Sequence, residues 1–304
     1  MRIVIAGGTG FLGSALSRRL AKDGHTVVVL TRDSLAPREP GLVRYASWTP
    51  DGNAGAWARE LDGADAIVNL AGAGIADKRW SASRKQLLRQ SRILSTRSLV
   101  NAIRVMTKRP TVMIQGSAEG YYGAFETGPT IDESFPPGSD FLANLCAAWE
   151  AEAQPVAALG VRLVLARTSV VLSRNGGALK KMIPPFKAFV GGPLGTGKQF
   201  FSWIHLDDWV GLNAWAIGNP EASGPINFTA PGPVTNGEFS HALARALGRP
   251  CWLPVPPFAL RIIVGEMAGA ALLLGHRILP TRAITLGYKF QYERIDEAMA
   301  AAVK

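Results

Sequence analysis

Residues 1–13 read Met-Arg-Ile-Val-Ile-Ala-Gly-Gly-Thr-Gly-Phe-Leu-Gly, an apolar strand that runs directly into a glycine-rich turn. Gly7, Gly10 and Gly13 form a Gly-x-x-Gly-x-x-Gly pattern, and Ser14–Lys22 is predicted to be the first helix. A strand, tight turn and helix in this order present free backbone N–H groups and the positive end of a helix, where a pyrophosphate can bind. In this arrangement Gly7 permits the turn, Gly10 lets the backbone approach the phosphates, and Gly13 lets the helix pack on the strand. The stretch predicts a dinucleotide-binding domain, the alternative being a purely structural turn.

The bulk composition indicates a soluble, globular, enzyme-like protein. The chain has 304 residues, of which 47% are hydrophobic and 18% charged. Cys146 and Cys251 cannot form a disulfide framework and match no metal-binding spacing, so we expect a reducing, cytoplasmic setting and no metal. Arg2 leads directly into the first strand, which leaves no room for a signal or transit peptide. The most apolar stretch, 262–274, is shorter than the roughly 20 residues of a membrane span, so we expect a buried amphipathic helix and no membrane partner.

Positive charge is concentrated between Lys78 and Arg109. The net charge of the chain is +10, and this segment contains ten basic residues and no acidic one. Such a run can attract an anionic partner, such as a phosphorylated cofactor, but it also fits the solvated face of a helix. No nucleic-acid motif accompanies the charge, so we expect a small-molecule substrate and no nucleic-acid partner.

Apolar runs alternate with helical stretches through the first two thirds of the chain. The predicted strands are Ile3–Ala6, Val27–Thr31, Val43–Trp48, Ala66–Leu70, Thr111–Ile114 and Arg162–Ala166. The predicted helices are Ser14–Lys22, Ser81–Val105 and Phe141–Leu159. This alternation predicts the α/β class, with a Rossmann doubly wound parallel sheet covered by helices on both faces.

The pattern changes after about residue 173, where segments rich in glycine and proline begin. We assign residues 1–173 to an NADP-binding Rossmann domain and leave room for later segments to return to it. Residues 174–304 are assigned to a smaller C-terminal substrate lobe, with a C-terminal cap at about 248–304. Because ligands of doubly wound sheets bind beyond the carboxyl ends of the strands, the cleft is expected between the cofactor and the lobe.

The end of the second strand indicates which dinucleotide is preferred. An acidic residue there would bind the ribose of NAD, but this chain has Thr31 and Arg32. A guanidinium can pair with a 2′-phosphate, and such charge-assisted bonds contribute roughly 1.5–3 kcal/mol, about a ten- to hundred-fold preference. Arg32 could instead stack on adenine, and Asp33 could bind a ribose hydroxyl. We expect NADP(H) to be preferred over NAD(H).

A second cofactor loop is expected at residues 69–74, Asn-Leu-Ala-Gly-Ala-Gly, where the fourth strand ends. Small residues there would let the backbone approach the ribose and nicotinamide half of a dinucleotide, the alternative being a plain strand end. The full set of expected cofactor-binding residues is Gly7, Thr9, Gly10, Phe11, Leu12, Gly13, Thr31, Arg32, Leu70, Ala71 and Gly72.

Further motifs are spread along the whole chain. They include Arg79-Trp80, Gly120-Tyr-Tyr-Gly, Asp140-Phe-Leu-Ala, Trp149-Glu150, Gly191-Gly-Pro-Leu-Gly, Ser202-Trp-Ile-His-Leu-Asp-Asp and Gly287-Tyr. With these motifs the chain resembles the extended short-chain dehydrogenase/reductase superfamily of the nucleotide-sugar epimerase type. More closely, it resembles an atypical branch known as epimerase family proteins, some of which carry a cell-division-inhibitor label. Its last section resembles the C-terminal domain of unknown function of that branch.

The catalytic pair of the superfamily is absent from the positions where this resemblance implies it. The superfamily uses a Tyr-x-x-x-Lys pair, in which the lysine lowers the pKa of the tyrosine that transfers the substrate proton. Alignment on Glu150 places Leu142 at the tyrosine position and Cys146 at the lysine position, and neither can do this chemistry. The accompanying Ser/Thr position falls on Ala118, next to Ser117. No tyrosine of the chain has a lysine four residues later.

Candidate replacements follow the fifth predicted strand, where a proton donor belongs. Ser117, Tyr121 and Tyr122 are our catalytic candidates, with Glu119 beside them, although a tyrosine at such a turn is also a common packing residue. Cys146 is expected to be a small buried residue rather than a nucleophile.

His205, Asp207 and Asp208 are assigned a structural role. We expect one of the two aspartates to cap a helix rather than to bind a metal or transfer a proton.

Two functions remain open from the sequence. The first is an NADP-dependent oxidoreductase or sugar-nucleotide epimerase that acts on a small, nucleotide-linked substrate with a rearranged acid–base set. The second is a catalytically silent dinucleotide-binding protein that regulates or docks a partner. The chain is expected to be a monomer or a homodimer.

Overall fold

The computed structural model describes residues 1–32, 42–125 and 128–304. The strands are β1 (Arg2–Ala6), β2 (Thr26–Thr31), β3 (Val43–Ser47), β4 (Ala66–Asn69), β5 (Val112–Ala118), β6 (Thr130–Ile131), β7 (Arg162–Thr168), β8 (Val170–Leu172), β9 (Phe200–Phe201), β10 (Trp203–His205), β11 (Gly224–Phe228), β12 (Val234–Thr235) and β13 (Arg277–Ile278). The α-helices are α1 (Phe11–Lys22), α2 (Ala82–Val105), α3 (Phe141–Ala153), α4 (Gly177–Lys187), α5 (Leu206–Gly218), α6 (Asn236–Leu247), α7 (Pro257–Val264), α8 (Met267–Ala271), α9 (Thr281–Thr285) and α10 (Ile295–Ala302).

A seven-stranded sheet with the order β11-β7-β5-β4-β1-β2-β3 forms the centre of the structure. All of its strand pairs are parallel. The strand order reverses between β1 and β4, and in doubly wound sheets ligands bind at such a switch point, beyond the carboxyl ends of the strands. The predicted Rossmann α/β fold is confirmed.

The strands of this sheet are apolar throughout because both of its faces are covered. Along β1, Ile3 and Ile5 contribute to one hydrophobic core, while Val4 and Ala6 contribute to a second core on the opposite face. Alternate residues of a strand point to opposite faces, so an unbroken apolar run is what a doubly covered strand requires.

The chain returns to the sheet after it has begun the lobe. Strand β11 pairs with β7 in parallel, from Gly224 against Val164 to Phe228 against Thr168. Helix α5 packs against α1 on one face of the same sheet. The last strand of the Rossmann sheet therefore comes from the region that the sequence assigns to the substrate lobe, and the two parts are interleaved along the chain.

Two predicted helices differ from the observed ones at their ends. Helix α1 begins at Phe11, three residues before the predicted start, because the helix follows Gly10 directly. The predicted helix Phe141–Leu159 is an α-helix only as far as Ala153 and continues as a 3₁₀ helix over Gln154–Leu159. The α-helix ends next to Pro155 because proline has no N–H to donate to the α-helical hydrogen-bond ladder.

The apolar stretch 262–274 is not the buried amphipathic helix that the sequence predicted. Helix α7 ends before Gly265, whose φ of +68° is left-handed, and α8 is only five residues long. Ile262 and Ile263 are each 67% exposed, whereas Leu260 is the buried residue of α7. The prediction was wrong because apolar composition does not fix which face of a helix is covered. Among the described helices, none is long and apolar enough to span a membrane.

The lobe has its own hydrophobic core, built mainly from α4, α6 and α10. The start of α5 joins this core to the sheet. The side chain of His205, rather than that of either aspartate, caps α5 by accepting from the Asp207 N–H at 3.2 Å, so the predicted aspartate cap was wrong. The buried Asp208 carboxylate instead accepts from the Gln291 and Tyr292 N–H groups and fixes the C-terminal segment.

Candidate dinucleotide-binding and active site

The glycine-rich turn has the geometry that the sequence predicted. Gly7 has a left-handed φ of +80°, and a Cβ there would lie 2.7 Å from the carbonyl carbon of Leu70. A Cβ on Gly13 would overlap the Gly7 carbonyl oxygen. The end of β1, the start of α1 and the end of β4 therefore approach one another so closely that only glycine fits.

The first turn of α1 lacks a side-chain cap. Its N-cap residue is Gly10, no acidic residue follows in the first turn, and no described side chain caps the helix. The first N–H groups of a helix have no partner within the helix, and the helix dipole places positive charge there. The residues Phe11, Leu12 and Gly13 therefore present backbone donors that suit a phosphate.

The second predicted loop lies beside this turn. Leu70 N–H donates to the Ala6 carbonyl at 2.8 Å, and Ala71 N–H donates to Asn69 Oδ1 at 3.2 Å. The buried Asn69 amide also donates to Thr96 Oγ1 and to Gln115 Oε1, both at 2.9 Å. One side chain thus fixes the shape of the loop from β4, β5 and α2 together.

The end of β2 places the two residues expected to select the dinucleotide. Thr31 is buried, whereas Arg32 is exposed and forms no ion pair with any described residue. Asp33, the alternative ligand expected for a ribose hydroxyl, lies outside the described residues.

A buried ion pair organises the end of β5. Arg167 on β7 donates to both carboxylate oxygens of Glu150 on α3, each at 2.9 Å. The two side chains are only 4% and 6% exposed. Ser117 Oγ donates to Glu150 Oε1 at 2.6 Å. Burial alone would lower the pKa of Arg167, but the hydrogen bonds and the charge of Glu150 outweigh it and hold that pKa above its ordinary value.

The three catalytic candidates lie together around Arg167. The Tyr122 hydroxyl donates to Asn227 Oδ1 at 2.6 Å and accepts from Arg167 Nη1 at 3.1 Å, and burial raises its pKa to about 12. The Tyr121 ring stacks on the Arg167 guanidinium at 3.5 Å, and its hydroxyl makes no hydrogen bond with a described residue. Ser117 and Tyr122 therefore use their hydroxyls in hydrogen bonds inside the protein, whereas Tyr121 is a partly exposed residue.

Apolar side chains occupy the two positions that the superfamily resemblance assigns to the catalytic tyrosine and lysine. Leu142 and Cys146 are buried on α3. A Cβ on Gly120 would lie 3.1 Å from Leu142 Cβ and 3.9 Å from Cys146 Sγ, so both side chains pack against the backbone that follows β5. Burial raises the pKa of the Cys146 thiol to about 12, which keeps it neutral.

The Glu119 carboxyl lies at this end of β5 beside the Ser169 hydroxyl. Its Oε2 is buried without a hydrogen bond, and the buried Ser169 hydroxyl beyond β7 lacks one as well. Burial raises the pKa of Glu119 to about 8, an effect that the nearby Ser169 hydroxyl only partly offsets. This rise favours the protonated form of Glu119, which is the state that a general acid requires.

The sequence reasoning did not identify Arg167 or Asn227. The available signal was the charged Arg167 directly after the apolar run 163–166, since buried arginines are rare unless paired.

Comparison with known proteins identifies the family. The model of the NAD dependent epimerase/dehydratase family matches residues 3–228, and that of a domain of unknown function, DUF1731, matches residues 255–302. The chain belongs to the NAD-dependent epimerase/dehydratase family. The C-terminal match agrees with the resemblance inferred for the last section.

Relatives match the chain over its full length. It is 43% identical over 314 residues to the chloroplastic epimerase family protein SDR39U1 homolog of Arabidopsis thaliana, covering 100% of this chain and 87% of the relative. It is 39% identical to the epimerase family protein YfhF of Bacillus subtilis, covering 100% and 98%. The crystal structure of human epimerase family protein SDR39U1 with NADPH has a TM-score of 0.89, with 33% identity and 99% coverage of both chains. The resemblance to the epimerase family proteins is confirmed.

The buried ion pair predicts a large stability effect. Glu150→Gln leaves the Arg167 guanidinium buried with its partner charge removed, and breaking a buried pair costs about 3–5 kcal/mol. The matched control is Glu152→Gln on the same helix, which breaks the exposed pair with Arg97 at a cost of about 1 kcal/mol or less. Urea unfolding measures both, and equal losses would contradict the structural role of the Glu150 pair.

The protonated Glu119 predicts a pH-dependent stability. The pKa of this carboxyl rises from about 4.5 in the unfolded chain to about 8 in the folded one, so the folded protein holds the extra proton between these values. The contribution of Glu119 to the free energy of unfolding is then greatest below about pH 4.5 and is lost as the pH rises through 8. Glu119→Gln removes this slope, so the melting temperature of the variant should gain on wild type between pH 5 and 8. Parallel melting curves across this range would show that Glu119 is ionised in the folded protein.

Proposed function

We propose that this chain binds NADP(H) across the carboxyl ends of β1 and β4 and acts as an oxidoreductase of the epimerase type on a small substrate. The observation that carries the proposal is the uncapped start of α1, which the close approach of Gly7 and Gly13 holds at the switch point of the sheet. Backbone donors there suit the pyrophosphate. The crystal structure of human SDR39U1, which is 33% identical, contains NADPH.

The preference for NADP(H) rests on Arg32. This guanidinium is exposed at the end of β2, and its charge is not used in an ion pair with any described residue. An exposed guanidinium at this position can pair with a 2′-phosphate, whereas the ribose hydroxyl of NAD would offer it no negative charge.

An active site needs a proton donor on the protein, since the dinucleotide supplies or accepts only a hydride. Two groups at the end of β5 favour activity, the Glu119 carboxyl, whose pKa burial raises, and the hydroxyl of the partly exposed residue Tyr121. Ser117 and Tyr122 remain candidates, although both hydroxyls are engaged with neighbouring side chains. A carboxyl oxygen that is buried without a hydrogen bond costs free energy, and carboxyls with a raised pKa cluster at functional sites.

The second candidate function is a catalytically silent dinucleotide-binding protein that regulates or docks a partner. The observation that favours it is the replacement of the tyrosine and lysine by the buried Leu142 and Cys146. Net oxidation of NADPH by carbonyl compounds, or interconversion of sugar-nucleotide isomers with no net change in the dinucleotide, separates activity from a silent protein. Glu119→Gln and Tyr121→Phe then identify the donor, since only one of them should abolish the reaction.

The dinucleotide proposal predicts selective thermal stabilisation. A ligand at 100 times its Kd stabilises the native protein by about 2.7 kcal/mol, so NADPH and NADP should raise the melting temperature at concentrations where NADH and NAD do little. Arg32→Ala should weaken NADPH about ten- to hundred-fold and leave NADH unchanged. Arg59→Ala, which removes one exposed charge elsewhere, is the control. Equal losses for both nucleotides would refute the 2′-phosphate contact, and no stabilisation of wild type by any of the four would refute dinucleotide binding.

A further inference from the structure

A half-buried guanidinium lies beside the position of the absent lysine. We propose that Arg92 of α2 supplies the fixed positive charge that a lysine at position 146 would provide, and that it binds hydroxyl or anionic oxygens of the bound dinucleotide. The inference rests on the proposed function, because it requires a ligand in the cleft beyond β4. Nothing in the sequence pattern distinguished Arg92 from the nine other basic residues of the run 78–109.

Arg92 reaches from α2 to the second cofactor loop and to α3. Its Nη1 donates to the Ala73 carbonyl at 3.0 Å and to the Leu88 carbonyl at 3.1 Å. The guanidinium lies 5.0 Å from the centre of the Trp149 ring on α3. The side chain is thereby held between the loop that follows β4 and the helix that carries the altered catalytic positions.

The charge of Arg92 acts directly at the lysine position. Burial raises the pKa of the Cys146 thiol, and the positive charge of Arg92 is the largest effect that opposes this rise. Cys146 and Trp149 are three residues apart on α3, so they lie on the same face of the helix, and Arg92 interacts with both. A lysine at position 146 would bring its charge to this same region from the other helix.

The loop passes close over Arg92 because residue 72 is glycine. A Cβ on Gly72 would lie 3.1 Å from Arg92 Cγ and 3.2 Å from Cζ. A side chain at this position would therefore push either the loop or the arginine away. The small residues of the loop leave room for the guanidinium on one side of the loop and for a dinucleotide on the other side.

Three basic residues of α2 pair with carboxylates, whereas Arg92, like the exposed Arg89 and Arg104, has no such partner among the described residues. Arg84 pairs with Asp77 at 3.6 Å, Lys85 with Glu266 at 2.6 Å and Arg97 with Glu152 at 2.8 Å. Among the described residues, no carboxylate lies within ion-pair distance of Arg92. Burial lowers the pKa of Arg92, and the like charge of Arg84 lowers it further.

Arg92 is half-buried, and removing a guanidinium partly from water without a counter-charge costs free energy. Every hydrogen bond that Arg92 makes with the described residues uses Nη1, so the donors on Nε and Nη2 remain for a ligand. These donors can bind ribose hydroxyls or hold negative charge that develops on a substrate oxygen. Arginine stays protonated, so the proton of the reaction must come from another group.

The test moves the charge from one helix to the other and measures binding rather than turnover. Calorimetric Kd values for NADPH are compared in wild type, Arg92→Gln and the double variant Arg92→Gln with Cys146→Lys. We expect Arg92→Gln to weaken NADPH at least about tenfold and the added lysine to recover most of this loss. Arg89→Ala, on the same helix with an exposed side chain, should bind NADPH as wild type does.

The outcomes separate this inference from the proposed function. If wild type itself binds no dinucleotide, the proposed function fails. If wild type and Arg92→Gln bind equally, the role of Arg92 fails while the proposed function stands. If Arg89→Ala weakens NADPH binding as much as Arg92→Gln does, the effect is one of general charge and the specific role of Arg92 fails. If the double variant binds NADPH no more tightly than Arg92→Gln, the charges of Arg92 and of a lysine at position 146 do not act at the same place. Arg92→Lys provides a folded, charged substitute if the glutamine variant unfolds, and it should retain binding within a few-fold.

Discussion

The bidentate ion pair between Glu150 and Arg167 is the interaction on which the carboxyl edge of the sheet depends. It joins α3 to β7, and through Ser117 it also holds the end of β5. Arg167 then holds the Tyr122 hydroxyl, which donates to Asn227 on β11. The adjacent strands β5, β7 and β11 are thus connected by buried side chains that form ion pairs and hydrogen bonds with one another. A buried charge pair of this kind stabilises only when every member is satisfied, so the network leaves little freedom for its hydroxyls to react.

This constraint explains how the site differs from that of the wider superfamily. The hydroxyls of Ser117 and Tyr122 serve the network, while Leu142 and Cys146 make the facing side of α3 apolar. The polar groups that remain near this apolar side are the Glu119 carboxyl at the end of β5 and the Arg92 guanidinium, which reaches in from α2. The dinucleotide-binding turn lies two strands away, so its geometry is preserved although the acid–base positions have changed.

The parts of the structure that local sequence determines were predictable. Gly7 and Gly13 are required by one tight turn, and each central strand is an apolar run because both faces of the sheet are covered. Strand β11 was not predicted, because it is five residues long and begins Gly-Pro, and only pairing with β7 makes it a strand. The exposure of α7 and the position of Arg92 also depend on distant packing, which composition does not encode. The Glu150–Arg167 contact joins two elements, and neither residue alone indicates its partner.

The central claim is that a dinucleotide lies across the uncapped start of α1 with its nicotinamide half beside the loop that Arg92 supports. A crystal structure of the protein with NADPH tests this most directly. We expect the pyrophosphate to lie within hydrogen-bond distance of the Phe11 and Leu12 N–H groups, and we expect Nε or Nη2 of Arg92 to donate a hydrogen bond to an oxygen of the ligand. A nucleotide bound elsewhere, or a complex in which the first turn of α1 contacts no phosphate, would contradict it.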